Sequence, residues 1–402
     1  MPTFVYEAKE RTGRRTKGKI DSSSKALAIA QLKKEGLIVS SIAEEKKSIL
    51  DMEIHLMRPV KFQHIVIFLR QFATLLRAGV PIVDAIHIIS LQSESKVFRK
   101  ILAEVEEDIR KGIQLSEACA KHKKVFEPLF LSMIRAGEAS GQMEIVLDRL
   151  AAFYEKTHYT REKIKSAMTY PAAIMILATG VTVYLLTSIV PTFVGMFLGL
   201  GAELPKITKA VIALSNSLTE TWYLYIIFIV VTILSCKLIV NTSYGRFYAD
   251  YAKLKVPIFG KLMQKGAIAR MSRTLATLFA SSVPILQALT IVEDIVGNKV
   301  IGRAIFESKE SLRQGRPLSE PLKKTWVFPP LVAQMIAVGE ETGSLDGMLE
   351  KIADFYEAEV EAMVDRMKAL IEPIMIVFLA SVIGTIVMAI MVPMFEIFSR
   401  VK

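Results

Sequence analysis

No charged residue occurs between Lys165 and Glu203, and none between Glu372 and Glu396. About 20 apolar residues suffice for a helix to cross a bilayer, so these runs predict membrane spans over 170–194 and 372–396. A further span is predicted over 222–240, where the one charge, Lys237, sits near the end and can snorkel to the interface. Charged residues make up 23% of the chain, and all but Lys237 must lie outside the bilayer. The chain therefore divides into lipid-embedded and soluble parts, in keeping with 52% apolar residues and a mean hydropathy of +0.39.

The flanking charges set an orientation. Lys156, Arg161, Lys163 and Lys165 precede the first span, and the connector after the second carries Arg246, Lys253, Lys255, Lys261 and Lys265. The segment between these spans has only Lys206 and Lys209, balanced by Glu203 and Glu220. Residues 1–170 and 241–371 are thus expected on the cytoplasmic side, with 195–221 as an external loop. The charges about the third span are balanced, Arg366 and Lys368 before it and Arg400 and Lys402 after, so the external C-terminus follows from alternation. The formal charge of +11 suits an anionic membrane surface. Nucleic acid is not expected as a partner, because the basic stretch Arg246–Arg273 offers no aromatic stacking platform or reader motif. Residues 1–20 carry Glu7, Lys9, Arg11, Arg14 and Arg15 in place of an apolar core, so no cleavable signal peptide is expected. Two cysteines, Cys119 and Cys236, form no CxxC and predict no structural disulfide.

Much of the chain is written twice. RQFATLLRAGVPIVDAI at Arg70–Ile86 aligns with RTLATLFASSVPILQAL at Arg273–Leu289 at an offset of 203. One residue is lost around Lys121–Lys124, after which GEASG at Gly137–Gly141 aligns with GEETG at Gly339–Gly343 at an offset of 202. Over Met133–Glu155, 10 of 23 aligned positions are identical. The register runs on into the membrane, where Pro171 meets Pro373 and Val190-Pro191 meets Val392-Pro393. This is a duplicated helical domain with its following membrane helix, not a short-period solenoid. Two equivalent domains on one side of a membrane require a return crossing between them. The unrepeated 222–240 segment supplies it.

Within the first repeat, Phe62, Ile65, Val66, Leu69, Phe72, Ala73 and Leu76 fall at helical steps, Gly79 is placed to end that helix and Pro81 to begin the next. The predicted fold is an all-α membrane protein. It has two repeated cytoplasmic helical bundles, 61–169 and 266–371, three transmembrane helices, a linker at 48–60, a basic connector at 241–265 and a tail at 397–402. A small ββαβ module is predicted over 1–47: a hairpin around Thr12-Gly13, a helix closed by Gly36 and a strand at LIVSSI.

Catalytic signatures are missing. The sequence has no GxxxxGK[ST], no GxGxxG after a strand, no GxSxG and no HExxH. No enzyme activity, cofactor or metal site is expected, and the five histidines read as surface or partly packed residues. Glu138 and Glu340 invite a paired-carboxylate reading, as catalytic groups or a cation site. A helix–turn–helix corner accounts for them better: Gly137 closes one helix, Ser140 or Thr342 caps the next, and Glu144 or Asp346 sits in its first turn. Gly195-x-x-x-Gly199 and Ala380-x-x-x-Gly384 would permit close packing of membrane helices. With no charge at mid-span, a small transporter using the duplicated spans as a pore is the weaker alternative.

The N-terminal module, RQFATLLRAGVP, GEASG, VPIFGKL, SRTLATLFASSVP and FPPLVAQMIAVGEETGSLDGMLEKIADFYE together resemble the inner-membrane platform proteins of type IV pilus assembly and type II secretion, the PilC/GspF family. The last motif, with IEPIMIVFLASVIG after it, is more similar to the pilus branch. Ser281-Ser282 departs from the family's small residue plus Gly, which implies a less sharply capped helix there. The resemblance implies a non-enzymatic multi-pass protein of the bacterial inner membrane, dimeric, that couples a cytoplasmic hexameric ATPase to insertion or extraction of pilin or pseudopilin subunits alongside other inner-membrane assembly proteins. Arg70, Glu138, Arg273 and Glu340 are the candidate partner or inter-domain contacts.

Overall fold

The computed structural model describes residues 3–9, 15–21, 25, 29, 33, 38–44, 60–199 and 205–400, and it divides into two units, 1–59 and 60–402. In the first, β1 (Thr3–Lys9), β2 (Arg15–Asp21) and β3 (Ile38–Glu44) form an antiparallel sheet of order β2–β1–β3. Lys9 stands opposite Arg15, so five residues join the hairpin, and a bulge between Glu7 and Ala8 shifts the β1–β3 register. Lys25, Ile29 and Lys33 are helical. Thr12-Gly13, Gly36 and nearly all of the expected linker lie outside the described residues.

The second unit begins with α1 (Phe62–Arg77), α2 (Ile82–Gln92), α3 (Lys96–Arg110), α4 (Leu115–Ala120) and α5 (Pro128–Ser140). Next comes α6 (Met143–Tyr184), which passes without a loop through a π-turn at Leu185–Ile189 into α7 (Val190–Gly199). Between the copies lie α8 (Lys206–Glu220), α9 (Trp222–Asn241) and α10 (Ser243–Lys255). The second copy repeats the plan with α11 (Phe259–Ala280), α12 (Ile285–Ile295), α13 (Lys299–Arg313), α14 (Ser319–Lys324), α15 (Pro330–Thr342) and α16 (Leu345–Arg400). Among the described residues, three helical stretches are long and apolar enough to cross a membrane: Met143–Met196, Trp222–Asn241 and Leu345–Pro393.

The first and last of these are not separate helices. Each is the continuation of the final helix of its bundle. At 1.5 Å per residue the 56 residues of α16 span about 84 Å, far more than a bilayer needs. Pro171 and Pro373 lie inside these helices, at the point where the charged half gives way to the apolar half.

Each bundle packs its first helix along its long one, α1 on α6 and α11 on α16. The copies fill the space differently. Phe68, Phe72, Phe98 and Phe130 of the first core, with Phe68 and Phe98 edge to face at 5.5 Å, are replaced by Met271, Leu275, Ile301 and Val332, all buried. Cores tolerate such exchanges when volume is redistributed among neighbours. The buried side chains of both bundles join in one cluster. Cys119 is buried in it, and burial pushes its thiol pKa up.

The copied turns differ from expectation in one respect. Gly137 does not close α5; the helix runs through it to Ser140, and Gly141 ends it in the left-handed region at φ 69°. Gly137 is required for a different reason. A Cβ there would stand 3.2 Å from Met143 Sδ and 3.3 Å from Val146 Cβ, so glycine lets α5 and α6 meet closely at the corner. Gly339 is tighter, its Cβ position lying 3.0 Å from Leu345 Cα. Nor does Ser140 cap α6. Its hydroxyl donates back to the Ala136 carbonyl at 2.8 Å, and Gln142 is the N-cap without a side-chain bond.

The 195–221 connection, expected as a loop, carries α8, which packs against the apolar ends of both long helices through Val211, Leu186, Val190, Ile386 and Ala389. Its two buried hydroxyls answer a specific need. Pro393 has no N–H for the carbonyl of Ala389, four residues earlier, and Thr208 Oγ1 donates to that oxygen at 2.8 Å. In the π-turn the Val190 N–H reaches Leu185, so Pro191 would serve Leu186; Ser215 Oγ bonds the Leu186 carbonyl at 2.5 Å instead. Gly195 and Gly384 have open space at the Cβ position, so neither marks a close helix contact within the chain.

Candidate functional site

The two arginines hold equivalent places. Arg70, on α1, donates from Nε and Nη2 to Glu155 at 2.6 and 2.5 Å and from Nη1 to Asp148 at 3.0 Å. Arg77 adds a second contact to Asp148. Arg273, on α11, makes the same fork with Glu357, both bonds 2.9 Å, and reaches Asp354 at 2.5 Å. Two parallel N–H···O bonds match a carboxylate's geometry and fix the rotation of the short helix against the long one. The Glu155 bond raises the Arg70 pKa above its ordinary value. Burial works against the charge on Arg273, and Glu357 and Asp354 outweigh it. The second fork is the more enclosed, with side chains 20% and 12% exposed against 40% and 41% in the first.

The acidic corner residues reach back 21 or 22 positions. Glu138 accepts from the Ser116 N–H at 3.1 Å, and Glu340 from the N–H groups of Leu318 and Ser319 at 2.5 and 3.0 Å. These donors open α4 and α14, where the first N–H groups have no partner within the helix and the N-cap residue makes no side-chain bond, so the carboxylate acts as a cap delivered from another helix. Each of these bonds of the four candidate residues lies inside its own bundle.

Sequence reasoning missed the seam between α6 and α16. Lys156 Nζ stands 3.7 Å from Glu357 and 3.8 Å from Glu361; Lys163 Nζ stands 3.0 Å from Glu361 and 3.7 Å from Asp365. Ala167 packs against Val360 and Val364 beside these pairs. Lys156 meets Glu357, Lys163 reaches Asp365, and Leu186 and Val190 cluster with Ile386 and Ala389, so the two helices run parallel. The signal was present in the repeat: Lys163 and Asp365 occupy equivalent positions with opposite charge. Positions where two copies of one domain differ in charge sign are where the copies can pair with each other. Arg149, also on α6, donates to the Ala280 carbonyl at the end of α11.

A protein of two helical bundles, each prolonged into an apolar helix and paired along a charged seam, matches one family throughout. Residues 68–191 and 271–393 each match the type II secretion system (T2SS) protein F model, and residues 1–43 match the N-terminal domain of type II secretion system protein F. The chain belongs to this family. It is 41% identical to the type IV pilus assembly protein PilC of Thermus thermophilus, over 99% of this chain and 98% of that protein. It is 36% identical to PilC of Myxococcus xanthus, over 99% and 96%. Against the type II secretion system protein F of Vibrio cholerae the identity is 29%, over 98% of both.

Proposed function

We propose that this chain is the non-enzymatic platform protein of a type IV pilus assembly machine in a bacterial inner membrane. The supporting observation is the end-to-end similarity, 41%, to a protein named for pilus assembly, higher than to the secretion relative. In this reading residues 1–47 form a ββαβ module, supported by the three paired strands. Bundles at 61–169 and 266–371 face the cytoplasm, helices at 170–194, 222–240 and 372–396 cross the bilayer, and the C-terminus is external.

The continuous helices supply the mechanism. A motion delivered to a bundle by a cytoplasmic hexameric ATPase travels along α6 or α16 into the bilayer without an intervening loop, where pilin subunits are inserted or extracted. Arg70, Arg273, Glu138 and Glu340 would keep the partner-facing surfaces in shape through the bonds they make inside each bundle. A dimer and the other inner-membrane assembly proteins complete the machine.

Deleting the gene in its host is expected to abolish surface pili, and re-expression of the chain to restore them. A deletion strain that keeps its pili but stops exporting folded exoproteins would instead support a type II secretion platform acting on pseudopilins, the reading that the Vibrio cholerae relative favours.

A further inference from the structure

A cleft of about 340 Å³ opens between α6, α11 and the turn joining α12 to α13, on the charged half of the long helices. Its walls are mostly apolar, formed by Leu262, Met263, Val296 and Val360, and four cations reach it against one carboxylate, Glu357. Two of the four are already matched: Lys156 faces Glu357 and Glu361, and Arg273 holds Glu357 and Asp354. Arg161 and Arg270 are not. Among the described residues neither has a carboxylate within ion-pair distance. Arg161 lies over the ring of Phe62, 4.3 Å from its centroid. Arg270 donates from Nη1 to the Val296 carbonyl at 3.2 Å.

Two guanidinium groups of one sign sharing a cleft, in a molecule that pairs the cations around them, is an arrangement an anion would relieve. Part of the Arg270 side chain is open to solvent, yet burial and the Arg161 charge lower its pKa, which points the same way. Guanidinium forks suit phosphate oxygens. Two unmatched positive charges correspond to a phosphate monoester, which carries about −1.5 to −2 at neutral pH. Apolar walls around a few convergent polar groups are how small-molecule sites are generally built, and a cleft of this size is within their usual range.

We infer that this cleft binds a phosphate monoester carrying an apolar or aromatic body, gripped by Arg161 and Arg270 with the body against the Leu262–Val360 wall. Such a group can come from a membrane lipid with a bare phosphate head or from a soluble nucleotide. The full chain should be tested with both sources. One arm adds AMP to the protein in a neutral detergent; the other compares nanodiscs of phosphatidylcholine with and without phosphatidic acid, read by native mass spectrometry and by the shift in Tm. Saturable binding is expected in one arm, weakened about tenfold or more by Arg161→Gln and by Arg270→Gln. Arg161→Lys, which keeps the charge, should recover part of that loss. Arg161 is exposed, so its variants test the site even where Arg270 proves necessary for folding. Absence of saturable binding in both arms overturns the assignment, as does binding that neither Gln variant weakens.

Discussion

Glu340 accepts hydrogen bonds from the backbone N–H groups of Leu318 and Ser319, and Glu138 repeats the contact on Ser116 in the other copy. An acidic residue that looks like a surface turn is thus a tertiary cap. Glu340→Ala is expected to cost about 1–2 kcal/mol, the usual loss for a cap, because two backbone donors lose their acceptor. Glu138→Ala should cost less, since one donor is affected. Hydrogen exchange over α14 and α4, together with Tm, reads the difference. Unchanged protection of α14 in the Glu340 variant would count against the cap.

Ser282 takes φ 59° where the first copy has Gly79 at φ 82°. A side chain in the left-handed region costs about 1–2 kcal/mol. Ser282→Gly should therefore stabilise the second bundle by roughly 1 kcal/mol, and Gly79→Ser destabilise the first by a similar amount. Thermal unfolding of the two variants should shift in opposite directions.

Gly339→Ala places a methyl 3.0 Å from the Leu345 backbone, whereas Gly137→Ala meets first the movable sulfur of Met143 at 3.2 Å. Overpacking of this kind costs about 1–3 kcal/mol. The Gly339 variant should be the more damaging, and equal losses in Tm would show that the corners are equally free to yield.

Thr208→Val leaves the Ala389 carbonyl without a donor, an expected loss of about 1–3 kcal/mol. Pro393→Ala restores an N–H four residues on, so the same Thr208 change should be nearly neutral in that background. A double-mutant cycle on Tm in nanodiscs measures the coupling, and strictly additive effects would refute the pairing of hydroxyl with proline.

Glu106 is half-buried, which pushes its pKa up, but His87 at 3.0 Å and Arg110 at 3.0 Å outweigh burial and hold it below the usual carboxylate range. A carboxylate with a depressed folded pKa contributes stability above its unfolded pKa and loses it as the pH falls through the folded value. Glu106→Gln should be less stable than the parent at neutral pH and converge with it in acid. Melting curves taken down the acid limb test this.

The duplication and the spans are legible because both are written in patterns that need no tertiary partner: charge-free length and register. The first helix and the Gly79 turn are legible for the same reason. Gly137 misleads because glycine signals either a left-handed cap or a close approach, and only the packing of Met143 and Val146 tells which. α8 is harder to find, although Pro205 and the spacing of Ile207, Val211, Leu214 and Leu218 announce an amphipathic helix. Its purpose depends on two orphaned carbonyls more than 20 residues away, which no local pattern encodes. Arg70 and Arg273 stand out as contacts in the repeat, but their carboxylate partners about 80 positions on emerge only in the fold.

α8 has no counterpart in the duplication, yet it bonds the backbone of both duplicated helices near their apolar ends. The two long rods are therefore fastened at two levels, by the lysine–carboxylate seam on the bundle side and by α8 at the apolar ends. Two fastenings on parallel rods resist splaying at either end, so the pair behaves as a braced frame, with α8 as the strut that the duplication alone does not supply.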